Sequence, residues 1–241
     1  MDLSKFSLEG KVALVTGSSR GIGRAIALTF ADAGADVVIS SRKFPDLEEV
    51  AEEIKPKGRK SLAVASHIAK IEESGNLVEK AKAEFGRIDI LVNNAGTNPY
   101  NGPLIDAEEW AWDVTMNVNL KGPFMLSLLV ARIMREQGGG NIINIASAAG
   151  IRPSALHIYS VTKAGLIMLT QVMAREWGQY NIRANAIAPG LVKTKFSEVF
   201  WKGTPAEEGI PVPEDIAGAA LYLASDVSRY VNGETIIIGG G

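Results

Sequence analysis

Tyr159 and Lys163 stand four positions apart in "IYSVTK", residues 158–163, a stretch with no other ionisable side chain. On a helix, positions i and i+4 are neighbours, so this phenol and this ammonium project from one face. Such a pair can do proton chemistry. A free phenol titrates near about pH 10, and an adjacent cation favours its anion and brings it towards neutral pH. A lysine stem lying beside a half-buried tyrosine would leave the same spacing, so the pair gains weight only from what accompanies it. A second chemical signal is "VALVTGSSRGIGRAIA", which reads strand, glycine loop, helix. Its glycines, Gly17, Gly21 and Gly23, with Ser19, Arg20 and Ile22 between them, would bring backbone N–H groups and the positive end of a helix against a pyrophosphate. Directly after a first strand, that pattern is a dinucleotide-binding signal.

Dinucleotide folds read the adenosine ribose at the end of the second strand, with an acid for NAD or an arginine for NADP. Here the chain has "VVISSRK", with Ser41 in the acid's place and Arg42 next. Arg20 approaches the same corner from the glycine loop. Two guanidiniums can clamp a 2′-phosphate that an acid would repel. NADP(H) is therefore the preferred cofactor, with NAD(H) possible, and exchanging Arg42 for Asp with Arg20 neutralised should move the preference towards NAD.

The elements that must hold these groups follow from periodicity. "KVALVT", "DVVIS", "SLAVA", "IDILV", "NIINIA", "IRANAI" and "TIII" read as strands, most without polar alternation, as expected when both faces are covered. Helical patterns lie between them over 20–33, 46–55, 72–85, 107–136, 155–179 and 214–224. The alternation argues for one α/β domain with a parallel sheet wrapped by helices on both sides. Asp106 and Glu109 look like a capping box opening the fourth helix. Gly122 and Pro123 should bend that helix just after Asn119. Asp89 should brace a turn.

Composition narrows the chemistry. Of the 241 residues, 46% are hydrophobic and the formal net charge is −2, which gives a large core and no electrostatic footprint for nucleic acid or an anionic membrane. The absence of cysteine excludes disulfides, thiol catalysis and cysteine-ligated metals, and His67 and His157 lie too far apart in the sequence to suggest a metal site. "MDLSKFSLEG" has no apolar leader core, and apolar runs such as "SLLVA" are short, so a soluble cytoplasmic protein is expected.

With the glycine loop, "NNAG" at 93–96, Ser147 and Tyr159-x-x-x-Lys163 in this order, the chain resembles the short-chain dehydrogenase/reductase family over essentially its whole length. The resemblance implies a single-domain Rossmann fold, a doubly wound sheet of seven parallel strands, and hydride transfer between a nicotinamide and a carbonyl or alcohol. It makes Tyr159 the general acid for reduction, or the base in reverse. Lys163, with the positive ring of the oxidised cofactor, would lower the phenol's pKa and hold the nicotinamide ribose. Ser147 would hydrogen-bond the substrate carbonyl. Asn119, by its backbone carbonyl, would hold a water that extends a proton relay from the lysine; "NLKGPF" favours it over Asn117. Asn93, Ala95 and Gly96 would lie near the adenosine ribose, with Asn93 partly structural. Pro189 and Gly190 would shape the nicotinamide pocket, and Val192 and Thr194 would bind the carboxamide. Homotetramers are usual in the family, dimers less so.

Three segments depart from the family pattern. His67 stands where many members have an aspartate for the adenine amine; its imidazole could accept a hydrogen bond, and Ile68 could add backbone contacts. The substrate lid, about 191–213, is short before "PEDI" and carries Phe196, Phe200 and Trp201. "TIIIGGG" lacks an aspartate before the last glycine pair. "SSRK", "SHIAK", "TNPY" and "GLVKTKFSEVFW" resemble the NADP-dependent carbonyl and retinol reductase branch. The reading is an NADPH-dependent reductase of ketones or aldehydes. Its rivals are a 3-oxoacyl-thioester reductase, an NAD-linked alcohol, polyol or steroid dehydrogenase, and a dinucleotide sensor without turnover, which would not need both Tyr159 and Ser147.

Overall fold

The computed structural model describes residues 3–239. Seven strands, β1 (Val12–Thr16), β2 (Asp36–Ser41), β3 (Ser61–Ala65), β4 (Ile90–Asn93), β5 (Gly140–Ile145), β6 (Ile182–Pro189) and β7 (Thr235–Ile238), form one sheet. The order is β3-β2-β1-β4-β5-β6-β7 and every pair is parallel. The chain winds outward from β1 in one direction, then returns to β4 and winds outward in the other. That reversal opens a crevice at the carboxyl ends of β1 and β4, the place where such sheets bind ligands.

Period-two alternation divides the strand residues between two cores. Ala13, Val15, Val37, Ile39, Ile90, Val92, Ile143 and Ile187 face α1 (Gly21–Asp32), α2 (Pro45–Ile54) and α8 (Pro213–Ala224). Leu14, Val38, Val64, Leu91, Ile142 and Ala184 face α3 (Ile71–Phe85), α5 (Gly122–Glu136) and α6 (His157–Trp177). Covering both faces is what makes the strand sequences read as unbroken apolar runs. Asp89 fulfils its bracing role: it accepts hydrogen bonds from Val12 N at 2.9 Å and Arg87 Nε at 2.8 Å, tying the start of β4 to β1.

One local expectation is corrected and a second refined. Asp106 closes a 3-10 turn over Leu104–Asp106, and α4 (Glu109–Met116) begins only after an extended Glu108 that makes no side-chain cap. At Gly122 and Pro123 the expected irregularity takes the form of a π-helical turn, Asn117–Lys121, that joins α4 to α5 without ending the helix. Pro123 has no N–H to offer the Asn119 carbonyl four residues back, and the turn there widens to an i to i+5 bond, from Gly122 N to Asn117 O. The helical run Glu109–Glu136 matches a membrane span in length and hydropathy, but half of the matching window is buried inside the protein. It is a core helix of the sheet's second face.

Candidate active site

A crevice of about 710 Å³ runs along the carboxyl edge of the sheet, from His67 and Arg42 at one end to Tyr159, Phe196 and Phe200 at the other. Its middle is the glycine loop. Gly17 adopts φ +64°, and a Cβ there would lie 2.9 Å from the Ala95 Cα, so only glycine lets the loop close on the end of β4. Gly21 also needs a left-handed φ, +56°, and its bare Cα faces Thr194 across the crevice. Gly23 does not line the crevice; a Cβ on it would overlap Gly17 O and Asn94 Nδ2, so its part is helix packing. No side chain caps α1, which leaves its first N–H groups to an anion.

At the ribose corner, Ser41 and Arg42 line the crevice together with Ser19, Arg20 and Ile22. Among the described residues neither Arg20 nor Arg42 has an acidic partner, whereas the neighbouring Arg24 is paired with Glu53. Asn93 takes the structural part of its expected role and does not line the crevice. It is buried, and Nδ2 donates to Ser127 Oγ and Asn144 Oδ1, each at 2.9 Å. Its neighbour Asn94 lines the crevice instead and donates to Thr16 O at 2.9 Å, locking the glycine loop to β4.

At the opposite end, Ser147, Tyr159 and Lys163 converge as expected. Ser147 caps a 3-10 turn, Ala148–Gly150, by accepting from Ala149 N at 3.2 Å. That turn is pressed onto α6: a Cβ on Gly150 would come 2.6 Å from the Lys163 carbonyl carbon. The serine that follows β5 and the tyrosine of α6 are thereby fixed against each other. Lys163 donates to Ile145 O at 2.7 Å, and its Nζ stands 5.5 Å from the centre of the Tyr159 ring. That is one hydrogen bond among the described residues for a buried ammonium with three donors, and Lys163 borders the crevice, so it can hold a ligand's hydroxyls.

The expected acidification of the phenol by Lys163 is not what the protein's own groups produce. Burial pushes Tyr159 up to about 12, and the Ser147 hydroxyl pulls it down only in part. Burial also pushes Lys163 down to about 8. Both groups are buried in the wall of the crevice, where lost hydration penalises the phenolate and the ammonium alike. At neutral pH the tyrosine keeps its proton.

Asn119 is fully buried and does not line the crevice. Its side chain accepts from Thr97 N and donates to Thr97 O, both at 2.8 Å, and donates to Thr162 Oγ1 at 3.2 Å. A Cβ on Gly96 would lie 3.6 Å from Asn119 Oδ1 and 3.8 Å from Lys163 Nζ, so the three share one corner. Thr162, which the sequence reading missed, links this corner to α6 by donating to Tyr159 O at 2.7 Å. Its signal was only its place between the tyrosine and the lysine.

Ala95, Gly96, Pro189, Gly190, Val192, Thr194, His67 and Ile68 all border the crevice. Thr194 Oγ1 lies 2.9 Å from Ser197 Oγ, so its hydroxyl is shared with the lid. The lid is a closed strap: Lys193 N donates to Pro211 O at 2.8 Å, and between them lie α7 (Glu198–Trp201) and a 3-10 turn, Pro205–Glu208. Trp201 anchors it from beneath, buried and donating Nε1 to Ser197 Oγ at 3.2 Å. Phe196 packs on Tyr159, ring centres 6.0 Å apart.

A glycine cradle, an uncapped helix start, two unpaired guanidiniums and a buried lysine with donors to spare suit a nicotinamide dinucleotide along the crevice. No cluster of metal ligands exists among the described residues.

Comparison with known proteins agrees. The family model described as short chain dehydrogenase matches residues 11–204. Dehydrogenase/reductase SDR family member 4 of Caenorhabditis elegans is 42% identical over 97% of this chain and 95% of its own. The protein of that name from Homo sapiens is 39% identical over 97% and 88%. Among solved structures, a 7 alpha-hydroxysteroid dehydrogenase complexed with NADH and 7-oxo glycochenodeoxycholic acid superposes with TM-score 0.95 at 34% identity, covering 100% of this chain and 97% of that one. A gluconate 5-dehydrogenase from Burkholderia cenocepacia J2315, in complex with NADP and tartrate, gives TM-score 0.92 at 34% identity, covering 100% and 98%. The chain belongs to the short-chain dehydrogenase/reductase family of oxidoreductases.

Proposed function

We propose that the protein reduces a ketone or aldehyde carbonyl to an alcohol with NADPH. The observation that carries this reading is the buried Tyr159 phenol beside the Ser147 hydroxyl, both facing the crevice next to Phe196. In reduction that phenol acts as the acid, and in the reverse, dehydrogenase direction it would act as the base. The bound dinucleotide supplies hydride. Ser147 donates a hydrogen bond to the carbonyl oxygen and stabilises charge developing on it. Tyr159 delivers the proton that completes the alcohol. Lys163 holds the ribose hydroxyls with its spare donors, and the phenolate left behind is reprotonated from solvent. Phe196 and Phe200 keep water from the reacting atoms and present an apolar wall to the substrate.

The NADP preference rests on Arg20 and Arg42, which leave a 2′-phosphate two guanidiniums and no competing carboxylate. The likeness to a hydroxysteroid dehydrogenase complexed with NADH keeps an NAD-linked alcohol dehydrogenase as the second reading. A cytoplasmic homotetramer completes the proposal. Val161, Met168 and Val172 lie on one exposed stripe of α6, and Trp110 and Trp112 stand exposed on α4, apolar surface suited to a second copy.

Tyr159→Phe tests the chemistry. NADPH affinity should survive within about threefold while turnover falls by about two or more orders of magnitude. A variant that keeps its rate removes Tyr159 from the mechanism.

A further inference from the structure

His67 carries information about the adenine end that its residue type alone does not. Its Nδ1 accepts a hydrogen bond from Ala69 N at 3.2 Å, and its own backbone N–H donates to Glu73 Oε2 at 2.7 Å. A nitrogen that accepts bears no proton, so the proton of the neutral ring sits on Nε2. Nε2 has no partner among the described residues, and the ring is half-buried on the crevice wall beside Ile68 and Leu77. The place is the end of β3, one strand beyond Ser41 and Arg42. With the pyrophosphate on the glycine loop and the ribose at the end of β2, the purine is the part of the dinucleotide that reaches it. His67 would therefore meet the base as a donor, where its residue type alone suggested an acceptor.

We propose that the purine subsite reads a hydrogen-bond acceptor on the base, so that the protein takes 6-oxopurine dinucleotides as readily as adenine ones. Nε2–H can donate to N1 of adenine or to O6 of hypoxanthine, and neither base loses its partner. A carboxylate at this position would do the reverse, accepting from the 6-amino group and repelling O6. Ile68 and Leu77 supply an apolar wall that either base can stack against. The proposal rests on the dinucleotide reading of the crevice and deepens it.

The test compares dissociation constants for NADPH and for its hypoxanthine counterpart, read by nicotinamide fluorescence without any carbonyl substrate. The native protein should bind the two within about threefold of each other, because each base keeps one hydrogen bond to Nε2. His67→Asp should favour the 6-amino form by about tenfold or more, since its carboxylate faces O6 unpaired. His67→Asn, whose Oδ1 can accept from Ala69 N while Nδ2 points outward, should behave like the native protein. A native preference for the 6-amino form beyond threefold overturns the proposal, and so does a His67→Asp variant with the native ratio. Failure of both dinucleotides to bind would instead strike the dinucleotide reading itself.

Discussion

Lys163 costs the fold stability where it lies. Burial lowers it from 10.5 to about 8, so between those values the folded protein binds fewer protons than the unfolded chain. Stability therefore rises with pH through that window. Tyr159, raised from 10.0 to about 12, acts in the opposite sense and removes stability only above about pH 10. Lys163→Met should raise the unfolding free energy at pH 7 by a few kcal/mol, on the order of 3, and abolish the rise between pH 8 and 10. Denaturant unfolding across that range checks it; an unchanged pH slope would mean the ammonium is solvated. The sequence made this pair legible by spacing alone. It could not show that both groups are buried, because burial of Tyr159 depends on Phe196 and the 148–150 turn, which arrive from distant segments. Asn93 and Asn94 could not be told apart for a similar reason: which faces inward is decided by Ser127 and Asn144. At the ribose corner, Arg42→Asp combined with Arg20→Ala should turn the proposed NADPH-over-NADH preference into at least parity, measured by dinucleotide titration; an unchanged ratio would contradict the clamp.

Among the elements, the strands were readable because helices cover both sheet faces and leave no polar alternation to blur them. The fourth helix was harder. Asp106 has the composition of a cap, but a 3-10 turn claims it, and no local pattern announces the π turn at Asn117–Lys121. That turn has a purpose in the packing. A Cβ on Gly165 would approach Leu120 Cδ2 to 2.9 Å, so α6 lies tight against it, and Asn119 reaches Thr97 from it. Asn119→Ala would leave the Thr97 peptide without two partners, at about 1–3 kcal/mol of stability, and would loosen Lys163's corner. Thermal unfolding should show the loss, with kcat falling more than NADPH binding; native-like unfolding and kcat would mean that Thr97 is held by something else. Gly17→Ala should be severe in a different way. It combines a left-handed φ with a clash on Ala95 and should weaken dinucleotide binding by at least about tenfold. Native affinity in that variant would show the loop to be looser than its geometry.

At the scale of the whole molecule, the parallel sheet and its single reversal decide where every functional side chain stands. Residues from β2, β4, β5, β6 and α6 meet only because that reversal lies between β1 and β4. If the stripe of Val161, Met168 and Val172 is a subunit contact, Met168→Asp should dissociate the assembly, seen as a drop in mass by light scattering. A mass equal to the native one would send the contact elsewhere. The most direct trial of the central claim is consumption of reduced dinucleotide by the intact protein. NADPH and NADH would each be offered with ketones, diketones, quinones and acetoacetyl thioesters. Carbonyl-dependent loss of the nicotinamide's near-ultraviolet absorbance, faster with NADPH and matched by alcohol formed, is the expected result. NADPH that binds tightly yet is never oxidised by any carbonyl would contradict it.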